Sequence, residues 1–291
     1  MNILVTGSNG QLGSEIRDLI PLYSNCNFLF TNSSELDICN NVQIETYFQD
    51  KAVDVVINCA AYTAVDAAEK DALAAEKVNS EGVLNLVNAL NKVDGKLIHI
   101  STDYVFDGYH YLPYQELNEV NPIGVYGNTK RSGELEVLNS DIDGVVIRTS
   151  WLYSAYGNNF VKTMLRLGNE REELGVIYDQ VGTPTNASDL ARTCLDILTC
   201  KKQLNINAKG NLYHFSNEGV ASWYDFAIAI MDLGRLDCHV KPIETKDYPT
   251  PAKRPHFSIL NKSKIKNDFE IEIPYWRDSL VKCIAKIKNT K

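Results

Sequence analysis

Tyr126-Gly127-Asn128-Thr129-Lys130 places a phenol and an ammonium four residues apart, on one face of a helix. Such a pair suits carbonyl reduction. When hydride reaches a carbonyl carbon, the oxygen becomes negative and needs a proton donor. A phenol serves if a nearby cation lowers its pKa from about 10 toward neutrality. Lys130 supplies that charge, and its ammonium can also hold a nicotinamide ribose. By chance alone a chain with this much Tyr and Lys holds about one such spacing, and a second stands at Tyr47-x-x-x-Lys51. That copy is far in sequence from any other candidate group and reads as surface. Around Tyr126 the setting differs: Ser101-Thr102-Asp103-Tyr104 lies upstream at the end of an apolar run, where Thr102 can donate to the same carbonyl. The bland alternative is a Ser/Thr-rich strand end that caps the following turn.

The second chemical signal opens the chain. Gly7-Ser8-Asn9-Gly10-Gln11-Leu12-Gly13 follows the apolar run Ile3–Thr6 and precedes Leu12, Ile16, Leu19 and Ile20 at helical spacing, with Pro21 closing that helix. Glycines in a strand-to-helix turn let backbone N–H groups approach a pyrophosphate and let the helix pack closely on the strand. The helix dipole then favours the anion. The spacing has one residue more between the first two glycines than G-x-G-x-x-G, and an ordinary glycine-rich turn is the alternative. After the next strand the chain reads Thr31-Asn32-Ser33-Ser34, with no acid until Glu35 and Asp37. Nothing there repels a 2′-phosphate, which leans the reading to NADPH with NADH tolerated.

These residues need a scaffold, and the pattern supplies one. Cys26–Thr31, Val53–Asn58, Leu97–Ser101 and Val145–Thr149 read as further strands. Between them lie helices at Val42–Phe48, Asp71–Lys92 and Val125–Leu138, with Gly95 expected to make a left-handed cap after the long helix. The alternation predicts a doubly wound parallel α/β sheet of Rossmann type. Beyond Trp151 it loosens: Phe160–Leu167 and Asp189–Leu198 suggest helices, and Leu174–Tyr178 and Asn211–Phe215 suggest strands. Ser222-Trp223-Tyr224-Asp225 has the form of a capping box opening a helix through Met231. Tyr248–Pro255, with its prolines, is loop. The expected division is 1–150 as the dinucleotide-binding domain, its sheet completed by parts of 174–216, with 151–173 and 217–291 forming a smaller C-terminal α/β substrate lobe. His99, inside an apolar strand, reads as a satisfied core histidine, and Asn79 as a residue bonding backbone near the site. Tyr153 and Tyr156 read as core aromatics at the join between lobes.

Bulk composition narrows the class. The 291 residues are 44% hydrophobic, enough for a large core, and the net charge of −8 argues against nucleic-acid binding or a polybasic membrane patch. Seven scattered cysteines without a C-x-x-C pair read as reduced thiols in a cytoplasmic protein. The opening Met1-Asn2-Ile3-Leu4-Val5-Thr6-Gly7 lacks the basic flank and long apolar stretch expected of a signal peptide, and no apolar run approaches the roughly 18 residues of a membrane span.

With these pieces in place the chain resembles the extended short-chain dehydrogenases/reductases, and within them the dTDP-4-dehydrorhamnose reductases. The resemblance is carried by Asn2–Gly13, Asp54–Glu69, Ser101–Asp107, Pro122–Gly133, Arg148–Tyr153, Asn158–Leu167, Asp179–Pro184 and Tyr248–Pro255. It implies NAD(P)H-dependent reduction of the C4 keto group of dTDP-4-dehydro-β-L-rhamnose. Tyr126 is then the proton donor, Lys130 its electrostatic partner and Thr102 the carbonyl-side donor. The resemblance puts Gly7, Gly10, Gln11 and Leu12 on the pyrophosphate, within the turn that also holds Asn9 and Gly13. Asp37 and Ile38 are to flank the adenine, and Cys59, Ala60 and Ala61 to form a strand end touching the cofactor. Asp103, Tyr104 and Trp151, with Thr63 and Val65 nearby, are implied sugar and nucleotide contacts. Asn159 and Arg254 are implied diphosphate or nucleotide contacts, a planar guanidinium being suited to that group. Related dehydratases place Asp-Glu after the strand-end Thr; Thr102-Asp103-Tyr104 lacks that Glu, which disfavours dehydration. Some members use Mg²⁺ at a homodimer interface, and Glu15 and Asp189 resemble positions involved, although no local ligand cluster supports a metal here. Two alternatives stay open: a reductase of another nucleotide 4-keto-sugar, and a non-catalytic partner protein like the regulatory β subunit of methionine adenosyltransferase. Retention of Thr102, Tyr126 and Lys130 together argues for chemistry.

Overall fold

The computed structural model describes residues 1–199 and 211–289. In chain order the first part comprises β1 (Asn2–Thr6), α1 (Gln11–Leu19), β2 (Asn27–Phe30), α2 (Asn41–Asp50), β3 (Val55–Asn58), α3 (Val65–Ala68), α4 (Ala72–Glu76), α5 (Gly82–Asn91), β4 (Lys96–Thr102), α6 (Val125–Leu138) and β5 (Asp143–Thr149). Next come β6 (Leu152–Tyr153), α7 (Phe160–Glu170), β7 (Glu173–Ile177), β8 (Val181–Gly182), β9 (Thr185–Asn186), α8 (Ala187–Thr199) and β10 (Leu212–His214). The chain ends with β11 (Ala221–Ser222), α9 (Trp223–Gly234), β12 (His239–Ile243), α10 (Ser263–Phe269) and α11 (Trp276–Asn289).

Six strands form one parallel sheet in the order β10-β5-β4-β3-β1-β2. Its strands read as near-continuous apolar runs because both faces are covered. Ile3, Val5, Ile57, Ile98 and Ile147 point to one side, where α1, α8 and α10 supply Ile16, Leu190, Cys194 and Ile265. Leu4, Val56, Leu97 and Val146 point to the other, against Ile44, Leu86, Leu90 and Val137. At roughly 1.5–3 kcal/mol per fully buried aliphatic side chain, these two layers hold the sheet rigid beneath the site. From β1 the chain goes to β2 on one side and then to β3 on the other. That reversal opens a crevice at the strands' carboxyl ends, where ligands of such sheets bind.

A second core lies apart from the sheet. Val161 and Met164 of α7, Phe226 and Ile230 of α9, and Leu280 and Ile284 of α11 pack with Leu174 and Val176 of β7. β7 pairs with β12, and two short ribbons, β8 with β11 and β6 with β9, complete this part.

Several expectations change in detail. The helix expected over Asp71–Lys92 is interrupted by a π-helical turn at Lys77–Glu81, which turns Asn79 and Ser80 inward. Its left-handed cap is Asp94 (φ 54), not Gly95. Gly95 N–H bonds the Leu90 carbonyl, and a Cβ there would lie 2.5 Å from the Leu90 side chain. Of the stretch 174–216, β7 joins β12 while only β10 enters the large sheet. α10, from the later part of the chain, packs on the large sheet's core. The six described cysteines are free thiols, and Cys200 lies outside the described residues. No helix among the described residues is long and apolar enough to cross a membrane.

Candidate active site

A cavity of about 800 Å³ opens at the carboxyl ends of β1, β3 and β4. Gly7, Asn9, Gly10, Gln11 and Leu12 line one part of it, with Asp37 and Ile38 beside them. Cys59, Ala60 and Ala61 follow at the end of β3, then Thr63 and Val65. Thr102, Asp103 and Tyr104 stand at the end of β4, facing Tyr126 and Lys130 of α6, and Trp151 and Asn159 close the wall. Two expected residues are not in that wall. Gly13 lies behind it, where a Cβ would stand 2.6 Å from Ser8 Cα, so its part is to let α1 pack on the turn. Arg254 is tied to Asp66 by two hydrogen bonds of 3.2 and 2.8 Å and to Thr250 Oγ1 at 2.5 Å. Asp66 follows the wall residue Val65, so the guanidinium is at the margin. Tyr47 and Lys51 sit at the end of α2, outside the wall.

The glycine turn is built for close approach. Gly7 has φ +61, a left-handed conformation, and a Cβ there would lie 2.7 Å from Ala60 N. Gly10 is the residue before α1, and it, Gln11 and Leu12 of the helix's first turn line the cavity, so the helix N-terminus lies at the cavity. Asn32 and Ser33, just past β2, also line the wall, and the Glu35 carboxylate accepts from Asn32 N–H at 2.9 Å.

At the other end, Thr102 Oγ1 donates to Asp103 Oδ1 at 3.0 Å and accepts from Tyr104 N–H at 3.2 Å. Burial pushes the Tyr126 phenol up to about 12, against the lowering pull of its hydrogen bond with Thr102. That differs from the expectation that Lys130 lowers the phenol toward neutrality. The reason is where Lys130 points: its Nζ donates to the Ile100 carbonyl at 2.6 Å and lies 3.3 Å from His99 Nε2. Burial brings Lys130 down to about 8, with Glu134 acting in the opposite sense. Asp103 is pushed up to about 6 by burial. Burial, then Lys130, keep His99 well below its usual range, so its ring is neutral.

Neighbouring residues hold these groups in place, and among them Glu134, Arg148 and Gly127 were not singled out in the sequence. Glu134, one turn along α6 from Lys130, takes both Nε and Nη2 of Arg148 at 2.7 Å, and also Ser101 and Arg131. Burial would raise the Glu134 carboxyl, but Arg148, Ser101 and Arg131 hold it below its usual range. Gly127, inside the Tyr-x-x-x-Lys motif, lets α6 press on the Tyr104 carbonyl, where a Cβ would overlap. Asn79 accepts from Tyr62 N–H at 2.9 Å and donates to Tyr62 carbonyl and Thr129 at 3.1 Å, as its inward turn allows. Trp151 has φ 49, uncommon for a bulky residue. It stacks on Trp223 with centroids 3.6 Å apart and planes 8° apart. Asn159 caps α7 and donates to Gln11 Oε1 at 3.0 Å, joining the two parts of the chain across the cavity. Tyr153 is buried against Phe226, whereas Tyr156 bonds Asp18.

Glu15 and Asp189, linked by resemblance with Mg²⁺, are each engaged within the chain. Glu15 accepts from Ser154 and pairs with Lys286, each at 2.6 Å. Asp189 accepts from Asn217 and Ser279 at 2.7 and 2.5 Å. Among the described residues no three His, Cys, Asp or Glu stand together as a metal-binding group.

A doubly wound parallel sheet, a glycine turn after its first strand and a Thr/Tyr/Lys set at its carboxyl edge define a dinucleotide-binding oxidoreductase of the short-chain dehydrogenase/reductase class. Residues 1–289 match the family model described as RmlD substrate binding domain. The chain belongs to that family, the dTDP-4-dehydrorhamnose reductases. It is 41% identical to the dTDP-4-dehydrorhamnose reductase of Aggregatibacter actinomycetemcomitans, over 96% of each chain. A crystal structure of a dTDP-4-dehydrorhamnose reductase from Clostridium acetobutylicum superposes with a TM-score of 0.92 at 41% identity, covering 99% of this chain and 100% of that one. That of the Bacillus anthracis reductase, in complex with NADP, gives 0.91 at 36%, covering 98% and 99%.

Proposed function

We infer that the protein reduces the C4 keto group of dTDP-4-dehydro-β-L-rhamnose to give dTDP-L-rhamnose, using NADPH or NADH. The observation that carries this is that Tyr126, Thr102 and Lys130 share one cavity wall with the glycine turn, so proton donor and dinucleotide site serve the same space. The left-handed Gly7 beside Ala60 is a cradle that any side chain would fill, and it fits a pyrophosphate. Gly7, Asn9, Gly10, Gln11 and Leu12 hold that group, Asp37 and Ile38 flank the adenine, and Cys59, Ala60 and Ala61 support the middle of the dinucleotide. When bound, the nicotinamide supplies the hydride.

The protein's own groups manage the oxygen. Thr102 and Tyr126 donate hydrogen bonds to the C4 carbonyl, and Tyr126 gives up its proton as negative charge develops there. A phenol that holds its proton in the resting state is ready to donate it. Lys130 anchors the ribose and returns charge balance beside the phenolate. Asp103, Tyr104, Thr63, Val65 and Trp151 contact the sugar and base, and Asn159 and Arg254 meet the diphosphate, Arg254 by leaving Asp66. The end of β2 carries Asn32 and Ser33 in the cavity wall, where an NAD-selective site usually has an acid, and this leans the reading to NADPH with NADH tolerated.

The test is absorbance at the nicotinamide band with dTDP-4-dehydro-L-rhamnose made in situ. Oxidation of NADPH, and more slowly of NADH, is expected. Folded, cofactor-binding protein that oxidises neither would rule out this substrate.

A further inference from the structure

His99 is buried without exposure inside β4, beneath the catalytic face. It is not a core residue satisfied at random, because its polar partners are ordered from one side. Asn58 Oδ1 accepts from Ala60 N–H at 3.2 Å and from Thr6 Oγ1 at 2.6 Å. A backbone N–H can only donate, so the Asn58 oxygen must face it and the amide NH₂ must face the other way. That NH₂ meets His99 Nδ1 at 3.1 Å. Nδ1 is therefore the acceptor, and in a neutral ring the proton is on Nε2. Nε2 in turn lies 3.3 Å from Lys130 Nζ.

The tautomer has a consequence for the lysine. An ammonium has three N–H donors and no acceptor, so it cannot accept a hydrogen bond from Nε2–H. An amine can: one N–H goes to the Ile100 carbonyl, 2.6 Å away, and the lone pair turns to the ring. We propose that His99 is a positioning residue for the reduction: its Nε2–H, oriented through Thr6, Asn58 and Ala60, favours the amine form of Lys130 over the ammonium. The downward shift of Lys130 to about 8 has the same sign. Burial lowers Lys130, and the ring's N–H, facing Nζ at 3.3 Å, acts in the same direction, so that the lysine gives and takes a proton rather than standing as a fixed cation.

Other groups near Lys130 do not replace this effect. On α6 itself Tyr126 precedes it by one turn, and Glu134 follows by one turn, held by Arg148 of β5. Asp103 lies in the turn after β4, and Lys77 and Glu81 of the π-helical turn are exposed to solvent. All of them remain when His99 alone is changed.

The inference uses the catalytic reading of Lys130 for its consequence, yet it can be tested without it. Lysine Cε resonances of ¹³C-lysine-labelled protein are titrated, and the Lys130 signal is assigned by its loss in Lys130→Arg. Wild type should titrate near pH 8. His99→Gln places an amide at the Nε2 position that can turn its oxygen to the ammonium, and should raise the midpoint by about one pH unit, a tenfold gain in proton affinity. His99→Asn keeps an acceptor for Asn58 but takes the N–H away from Lys130; it should raise the midpoint too, and serves if the Gln variant does not fold. A wild-type midpoint in the ordinary lysine range, or midpoints unmoved in the folded variants, would overturn the proposal. The alkaline limb of kcat/KM should follow the midpoints upward. If the resonance moves and the limb does not, the His99 effect stands and the assignment of Lys130 to the reaction fails.

Discussion

Tyr126 and Asp103 lie within one cavity wall and are both displaced by burial, with opposite uses. The phenol stays protonated and available. Tyr126→Phe should lower kcat by about 10²–10⁴, the usual worth of a general acid, while cofactor still binds by fluorescence titration. A variant with wild-type turnover would remove Tyr126 from the chemistry. For Asp103 the shift is a stability statement. Its folded pKa, about 6, is above the ordinary 3.8, so below about pH 3 both states are protonated and burial of the charge costs nothing. Above about pH 6 both states are ionised and the folded state bears the full penalty, about 2–3 kcal/mol at 1.36 kcal/mol per unit. Asp103→Asn should therefore raise Tm at pH 8 and lose that gain as pH falls through 6 to about 3; equal differences at pH 8 and pH 3 would contradict it. The chemically active residues were legible because each type is tied to a strand end or a helix face. The direction of Lys130 was not, because it depends on the Ile100 carbonyl and on His99, and neither announces its partner in sequence.

At the scale of elements, α6 decides whether the pair is in register with β4. Glu134 clamps it to β5 through Arg148, and both are almost wholly buried. Removing one charge from such a pair strands the other. Glu134→Gln should cost about 3–5 kcal/mol in urea unfolding, and a loss below about 1 kcal/mol would show the pair to be dispensable. Gly127→Ala tests position rather than stability. Its Cβ would force α6 away from the Tyr104 carbonyl, and a shift near 1 Å at Tyr126 can cost about 10²-fold in kcat. Unchanged kcat would mean that the helix absorbs the methyl without moving. Several elements were readable from periodicity alone, including β1, β4, α6 and the capping box that starts α9. β12 was not, since Pro242 argues against a strand; it is tolerated because, among the described residues, β12 pairs with β7 alone. α11 was readable in principle, as Trp276, Leu280, Cys283, Ile284 and Ile287 recur on one helical face. The π-helical turn has no such periodic signature. It is visible only through Asn79 and its bonds to Tyr62.

Across the whole molecule the cavity is shared by a rigid sheet and a separately packed group of later elements. We propose that the first holds the dinucleotide and the second grips the nucleotide-sugar, with Trp151 on Trp223 as its firm aromatic floor. Trp223→Ala should then raise KM for the sugar nucleotide about tenfold, the effect of roughly 1.4 kcal/mol, and leave the cofactor Kd in place. A change in cofactor Kd with KM unaltered would reverse that division. The return of β10 to the large sheet was legible in the strand pattern of Asn211–Phe215, and the structure sets it beside β5; the packing of α10 on the large core was hidden from sequence because it returns from far along the chain. The account as a whole rests on hydride reaching C4 of the sugar. Its direct measurement is turnover of dTDP-4-dehydro-L-rhamnose with nicotinamide cofactor carrying deuterium at C4 of its ring, followed by NMR of the product. The account predicts one deuterium at C4 of the rhamnosyl ring and none elsewhere in the sugar. Product free of deuterium, or label at another carbon, would contradict it.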